Sequence, residues 1–165
     1  MRKIRLFLRL ARSRKVLFVS AWFLAIYAWV MFLFFKKYAR FSDTNNRLPQ
    51  EASVLNAAQI ARSKEIRWAI LAASKYIFLT NACRHQALQA KILCNRYAIP
   101  YTIFVGFKKN EEGQIEGHAW TQVGEIQISG MCDPQLYHIQ QIHTNIKNKE
   151  SVSNSNSVVN EVFPG

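Results

Sequence analysis

The stretch that decides the fold is CRHQALQAKILCNRYAIPYTIFVGFKKN, residues 83–110, because the spacing of its apolar residues changes halfway along. The first half predicts a helix that begins at Cys83 and ends before Pro100, with Thr80 or Asn81 as candidate N-cap. The second half is β-branched and aromatic, which is typical of a buried strand. The apolar residues that share the inward face of the predicted helix are Ala87, Leu88, Ile92 and Leu93.

The flanking segments extend this order of helices first and strands afterwards. Upstream, residues 52–78 carry apolar residues at helical spacing and predict one or two helices. Downstream, NEEGQ (110–114) predicts a hairpin turn, and IEGHAWTQV (115–123) and GEIQISGM (124–131) predict two further strands. CDPQLYHI (132–139) indicates a strand end with a turn. Segregated helices and antiparallel strands predict an α+β domain.

The first forty residues form a basic and hydrophobic segment that is expected to be helical. Residues 16–35 contain no charge, Gly or Pro, and about twenty apolar residues is the length that spans a bilayer. Basic residues bracket this run, so the net charge of +12 favours an anionic membrane surface over nucleic acid. A true span would place residues 41–165 outside the cell, where unpaired thiols are disfavoured. We therefore expect a cytoplasmic protein with peripheral or monotopic membrane contact through residues 1–40.

The rest of the chain divides by composition. Residues 41–53 are polar with a Pro and predict a linker, residues 54–143 form the predicted core, and the Ser/Asn-rich residues 144–165 predict a flexible tail. Three cysteines without a CxxC pair indicate neither a disulfide framework nor a zinc ribbon. No cofactor or metal is expected, because the conceivable ligands have spacings that match no common zinc pattern: Cys83, His85, Cys132 and His138.

Cys83 and His118 are the candidate catalytic pair. A helix N-terminus lowers a thiol pKa and offers N–H groups to an oxyanion, and a histidine on a following strand can activate the thiolate. Asp133 is the best-placed carboxylate to orient the imidazole, with Glu125 and Glu116 as alternatives. A lone Cys before a helix is more often a small buried hydrophobe, so this pattern alone leaves a structural role for Cys83 open.

These motifs resemble the lasso-peptide biosynthesis B proteins, transglutaminase-like cysteine peptidases that remove the leader from a lasso-peptide precursor. CRHQALQ, NRYAIP, FVGFKK and GHAWTQ occur in the family's order and at similar spacing, and the resemblance covers nearly all of residues 1–137. It implies a papain-like core with Cys83 as nucleophile and His118 as general base. The third residue is Asp133 by resemblance to the wider fold, although some B proteins carry the acid at a distance where this chain has Gly130.

The resemblance also implies partners. They are a precursor peptide with its leader, a separate small leader-recognition protein and an ATP-dependent macrolactam cyclase. Arg84-His85 replaces the family's usual Leu-Pro after the nucleophile, which suggests a differently shaped substrate-side lip. Two alternative functions are a transglutaminase-type acyl transferase on the same fold and a non-catalytic membrane adaptor that works through residues 1–40.

Overall fold

The computed structural model describes residues 10–34, 54–77 and 82–146. Its order of elements, three helices followed by a four-stranded antiparallel sheet, confirms the predicted α+β class. The predicted linker and the N-cap candidates Thr80 and Asn81 lie outside the described residues. The elements are α1 (Arg12–Phe34), α2 (Ala57–Ser74), α3 (Cys83–Arg96), β1 (Thr102–Lys109), β2 (Ile115–Val123), β3 (Ile126–Ser129), a short 3-10 helix (Pro134–Leu136) and β4 (His138–Thr144).

Helix α2 is a single helix with a complete N-terminal cap. The Asn56 side chain accepts a hydrogen bond from the Gln59 backbone N–H at 2.8 Å, and the Gln59 side chain accepts one from the Asn56 N–H at 3.1 Å. This reciprocal capping box satisfies two N–H groups that a helix start otherwise leaves unpaired. The apolar face of α2 then enters the core through Ile66, Ala69, Ile70 and Ala73.

Helix α1 packs along α2 and α3 and contributes to the same hydrophobic core. Its buried face consists of one leucine and three alanines, Leu17, Ala21, Ala25 and Ala28. Small side chains at helical spacing let neighbouring helices approach closely. The helix is also long and apolar enough to cross a membrane by length and composition alone, with 23 residues and a mean hydropathy of 2.2 in its most apolar window.

The sheet has the strand order β3-β2-β1-β4. Strands β1 and β2 form the predicted hairpin, in which Gly106 lies opposite His118 and Lys108 opposite Glu116. Strand β4 was not predicted from the sequence, because HIQQIHT is an edge strand whose side chains are mostly exposed and polar. It pairs with β1 through a bulge at Gly106, where an added Cβ would lie 2.8 Å from the His138 carbonyl oxygen.

Candidate active site

The start of α3 positions Cys83. Ala82 is the N-cap residue and has no side chain that can cap, but its backbone N–H donates to the His85 Nδ1 at 3.0 Å. His85 is only 4% exposed, and its ring meets the edge of Phe32 in α1 at 4.9 Å. His85 therefore lies inside the domain and fixes the helix start, rather than forming a substrate-side lip. The adjacent Arg84 guanidinium covers the same Phe32 ring at 4.9 Å.

The Cys83 thiol and the His118 imidazole lie close enough to shift each other's pKa. Burial raises the pKa of Cys83, but hydrogen bonds from His118 and from the backbone of Ala119 and Arg84 outweigh it, so the pKa lies below the usual 9.0. The same hydrogen bond from Cys83 raises the pKa of His118 against the opposing effect of burial. Both shifts favour a thiolate–imidazolium pair, the reactive form of a cysteine nucleophile.

The second nitrogen of His118 defines the tautomer of the ring. His118 Nε2 lies 3.0 Å from the Gly130 carbonyl oxygen. A carbonyl oxygen only accepts hydrogen bonds, so Nε2 must carry a proton and donate it. In the neutral ring Nδ1 is then unprotonated and is the nitrogen available to take the proton of Cys83.

The backbone carbonyl and N–H of Gly130 are both held by hydrogen bonds. Its carbonyl also accepts from the Gln127 Nε2 at 3.0 Å, and its N–H donates to the Gln86 Oε1 at 3.3 Å. Gln127 Nε2 further donates to the Cys132 thiol at 3.3 Å. Gly130 has φ +61°, and a Cβ there would lie 2.0 Å from the Ala119 carbonyl oxygen. Only glycine fits this backbone, which aims a carbonyl at His118.

The three carboxylates proposed from the sequence lie elsewhere. Asp133 Oδ1 accepts from the Gln135 N–H at 3.1 Å and caps the 3-10 helix. Glu116 pairs with Lys108 at 3.6 Å, and Glu125 is exposed in the β2–β3 turn. Among the described residues, no hydrogen bond or ion pair joins any of the three to His118. The group that faces the imidazole is the Gly130 carbonyl, and a catalytic role for Asp133 stays a prediction.

An aromatic and basic cluster adjoins the pair. The Tyr137 ring stacks on His118 with centroids 5.3 Å apart, and the Lys108 ammonium lies 5.4 Å from the centre of the Tyr137 ring. Lys108 also lines a cleft of about 580 Å³ whose walls include Glu116, Leu136 and His138. Neither Cys83 nor His118 lines this cleft, and Tyr137 and Lys108 connect it to the pair: Tyr137 contacts His118, and Lys108 contacts Tyr137 and lines the cleft. Its volume can accommodate part of a peptide.

The other cysteines differ from Cys83 in environment. Cys94 is fully buried in α3, and burial raises its pKa to about 12, which makes it unreactive. Burial also raises the pKa of Cys132. In residues 10–34, 54–77 and 82–146 no three His, Cys, Asp or Glu side chains come together as a metal site. The conceivable set of Cys83, His85, Cys132 and His138 is therefore not assembled.

Comparison with known families identifies the superfamily of the chain. The family model of the transglutaminase-like superfamily matches residues 22–141, a range that includes Cys83, His118 and most of α1. The chain belongs to the transglutaminase-like superfamily. Members of this superfamily are generally cysteine hydrolases and transferases. No curated protein and no solved structure matches the chain.

The sequence patterns identified Cys83 and His118 but missed the groups around them. Tyr137 and Gln127 carry no local signature, because only the folded sheet brings them to the pair. One feature of the sequence pointed to Gly130: it occupies the position, counted from His118, at which some members of the resembling family carry the acidic residue. The transglutaminase-like domain here presents a peptide carbonyl to the imidazole at that place.

Proposed function

We propose that this transglutaminase-like protein is a cysteine peptidase that removes the leader peptide from a ribosomally synthesised lasso-peptide precursor. One observation carries the enzymatic part: the Cys83 thiol, at a helix N-terminus, has its pKa lowered by a histidine whose Nε2 is fixed by the Gly130 carbonyl. The motifs CRHQALQ, NRYAIP, FVGFKK and GHAWTQ supply the substrate class, because they resemble the leader peptidases in order and spacing.

In the proposed reaction the Cys83 thiolate attacks the scissile carbonyl carbon, and the carbonyl π electrons move to the oxygen. Backbone N–H groups at the start of α3 stabilise this oxyanion, aided by the positive end of the helix dipole. His118 then donates its Nδ1 proton to the departing amine as the C–N bond breaks. Water, deprotonated by His118, hydrolyses the thioester and restores the thiol. The Gly130 carbonyl holds Nε2–H throughout and keeps the ring aligned.

The cleft beside Lys108 and Tyr137 is the proposed binding place for the residues next to the scissile bond. Its mixed lining offers apolar contact together with two lysine ammonium groups and two glutamate carboxylates, which suits a peptide chain. We propose the partners expected from the resemblance, a separate leader-recognition protein and an ATP-dependent macrolactam cyclase. We also propose a cytoplasmic location for the domain, in keeping with its unpaired thiols.

The test uses the full-length protein with short candidate precursor peptides from neighbouring reading frames, in the presence and absence of a candidate leader-recognition protein, and mass spectrometry of the products. Leader release with a free carboxylate is expected, and Cys83→Ala should abolish it. Cys132→Ser removes a partly exposed thiol outside the pair but keeps an acceptor for the Gln127 side chain, and as the matched control it should retain release. An amide adduct in place of a free carboxylate would identify an acyl transferase. Normal release by Cys83→Ala would refute catalysis by this chain and favour the adaptor role.

A further inference from the structure

Helix α1 has two apolar faces, and within the described residues the domain covers one of them and leaves the other exposed. The covered face is the leucine–alanine row that packs on α2 and α3. On the other side, apolar side chains recur at helical spacing and stay exposed, with Phe23 61% and Phe34 70% exposed. We call this the outer face of α1, and it consists of Val16, Val19, Phe23, Tyr27 and Phe34.

Contacts between α1 and the domain run along the whole helix, which is about 34 Å long. In the first turns the Arg14 Nε lies 3.6 Å from the Glu65 Oε1 in α2. The centroids of the Phe18 and Trp68 rings are 6.3 Å apart. In the last turn Phe32 contacts His85 at 4.9 Å. A membrane-spanning α1 would therefore carry α2 and the start of α3, with their charged side chains, into the hydrocarbon, where charges are strongly disfavoured.

The charges on α1 indicate what the outer face meets. The helix contains no acidic residue, and its first turn carries Arg12 and Lys15 in addition to Arg14, which pairs with Glu65. In the sequence, Lys36 and Lys37 follow one residue after its end. An apolar helix face with cations at both ends complements a bilayer with anionic headgroups, in which the helix lies in the interfacial plane. The aromatic rings of Phe23 and Tyr27 suit the boundary between headgroups and acyl chains.

We propose that the outer face of α1 lies flat in an anionic lipid surface and holds the domain against the membrane without crossing it. The covered face stays on α2 and α3, so the catalytic domain docks as one folded unit. This inference rests on the packing and charge of α1 and does not depend on what Cys83 does.

The first experiment measures binding of the full-length protein to vesicles of phosphatidylcholine with and without phosphatidylglycerol. Binding is expected on the anionic vesicles and should weaken as salt rises. The double variant Phe23→Glu/Tyr27→Glu should bind at least tenfold more weakly. The matched control Val54→Glu/Ile115→Glu makes the same charge change at apolar residues that are 98% and 70% exposed outside α1, and should bind within about twofold of wild type.

Circular dichroism and thermal melting establish that both variants are folded. Absence of binding to the anionic vesicles, or an outer-face variant that binds like wild type, would overturn the proposal. Loss of a dimer in place of lost vesicle binding, seen by sedimentation, would instead assign the face to a second copy of this chain.

The second experiment distinguishes lying flat from spanning. Ser13→Cys and Lys37→Cys each place a thiol near one end of α1, and a membrane-impermeant maleimide is added outside preformed vesicles that carry the protein. Each variant should gain one label per chain relative to wild type, because both ends face the same side. Protection of one end from the reagent would show a span and would overturn the flat orientation.

Discussion

Replacing His118 with alanine should raise the pKa of Cys83. The structure contains two opposed influences on this thiol, burial, which raises the pKa, and the hydrogen bonds and charge of its partners, which lower it below 9.0. His118 provides the largest lowering contribution, while burial remains in the variant. A thiol whose pKa returns to 9 is only about 1% thiolate at pH 7, and every unit by which the wild-type pKa is lower makes that fraction about tenfold larger.

The assay is the rate of Cys83 alkylation by iodoacetamide between pH 4 and pH 10, quantified on the Cys83 peptide by mass spectrometry. The wild-type rate should begin to rise at lower pH than the rate of His118→Ala. His138→Ala is the matched control, because it removes an exposed histidine whose ring is tilted against Phe107, and it should leave the Cys83 profile unchanged. Cys94, with a pKa of about 12, should not react over most of this range.

Coincident profiles for wild type and His118→Ala would refute the ion pair and the proposed mechanism with it. If the pair exists, leader release should depend on pH in a bell shape. Activity is lost as the pH falls through the lowered pKa of Cys83 and again as it rises through the raised pKa of His118. Because the pKa of the thiol is lowered and that of the imidazole is raised, a larger fraction of the pair is in the thiolate–imidazolium form than without these shifts.

The remaining predictions concern the groups around the pair. Gly130→Ala should lower the free energy of unfolding by about 2–4 kcal/mol in urea titrations, since its Cβ would meet a backbone oxygen at 2.0 Å, whereas Gly117→Ala, with nothing within 4 Å, should change it by less than about 1 kcal/mol. His85→Ala should cost about 1–3 kcal/mol. Burial lowers the pKa of His85 in the folded protein, so the neutral imidazole stabilises the fold fully above the unfolded-state pKa of 6.5. This stabilisation is lost as the pH falls through the lower pKa of the folded state. The free energy of unfolding of His85→Ala should therefore decrease less steeply with falling pH than that of wild type. Asp133→Asn should keep kcat/KM for leader release within about threefold, because the Gly130 carbonyl orients the imidazole; a loss near 10⁴-fold, typical of an orienting carboxylate, would return that role to Asp133.

Much of the fold was predictable because its signals are local. The change from helical to strand spacing across residues 83–110 placed α3 and β1, and the turn residues 110–114 placed the hairpin. Strand β4 lacked such a signal, because an edge strand with one partner needs neither an apolar face nor alternation. The packing of α1 was not predicted either, since a core helix and a membrane helix share length and hydropathy.

The candidate site divides along the same line. Cys83 and His118 could be proposed from the sequence, because cysteine catalysis requires a thiol at the start of a helix and a histidine on a nearby strand. The orienting group could not, because a peptide carbonyl is present at every residue and only the left-handed backbone of Gly130 aims this one at the imidazole. His85 was misinterpreted for a related reason: its position beside the nucleophile suggested substrate contact, while its capping role depends on contact with Phe32.

The contact of Phe32 with Arg84 and His85 has a practical consequence for anyone who purifies this protein. Apolar N-terminal helices are routinely cut away to obtain soluble material. Here a version beginning at residue 54 would lack Phe32, which contacts the two residues that directly follow Cys83. It would also expose the surface of α2 and α3 on which α1 packs. Inactivity of such a truncated protein would then result from the loss of contacts at the start of α3 and not from the loss of membrane binding. Detergent or nanodisc preparations of the intact chain avoid that confusion.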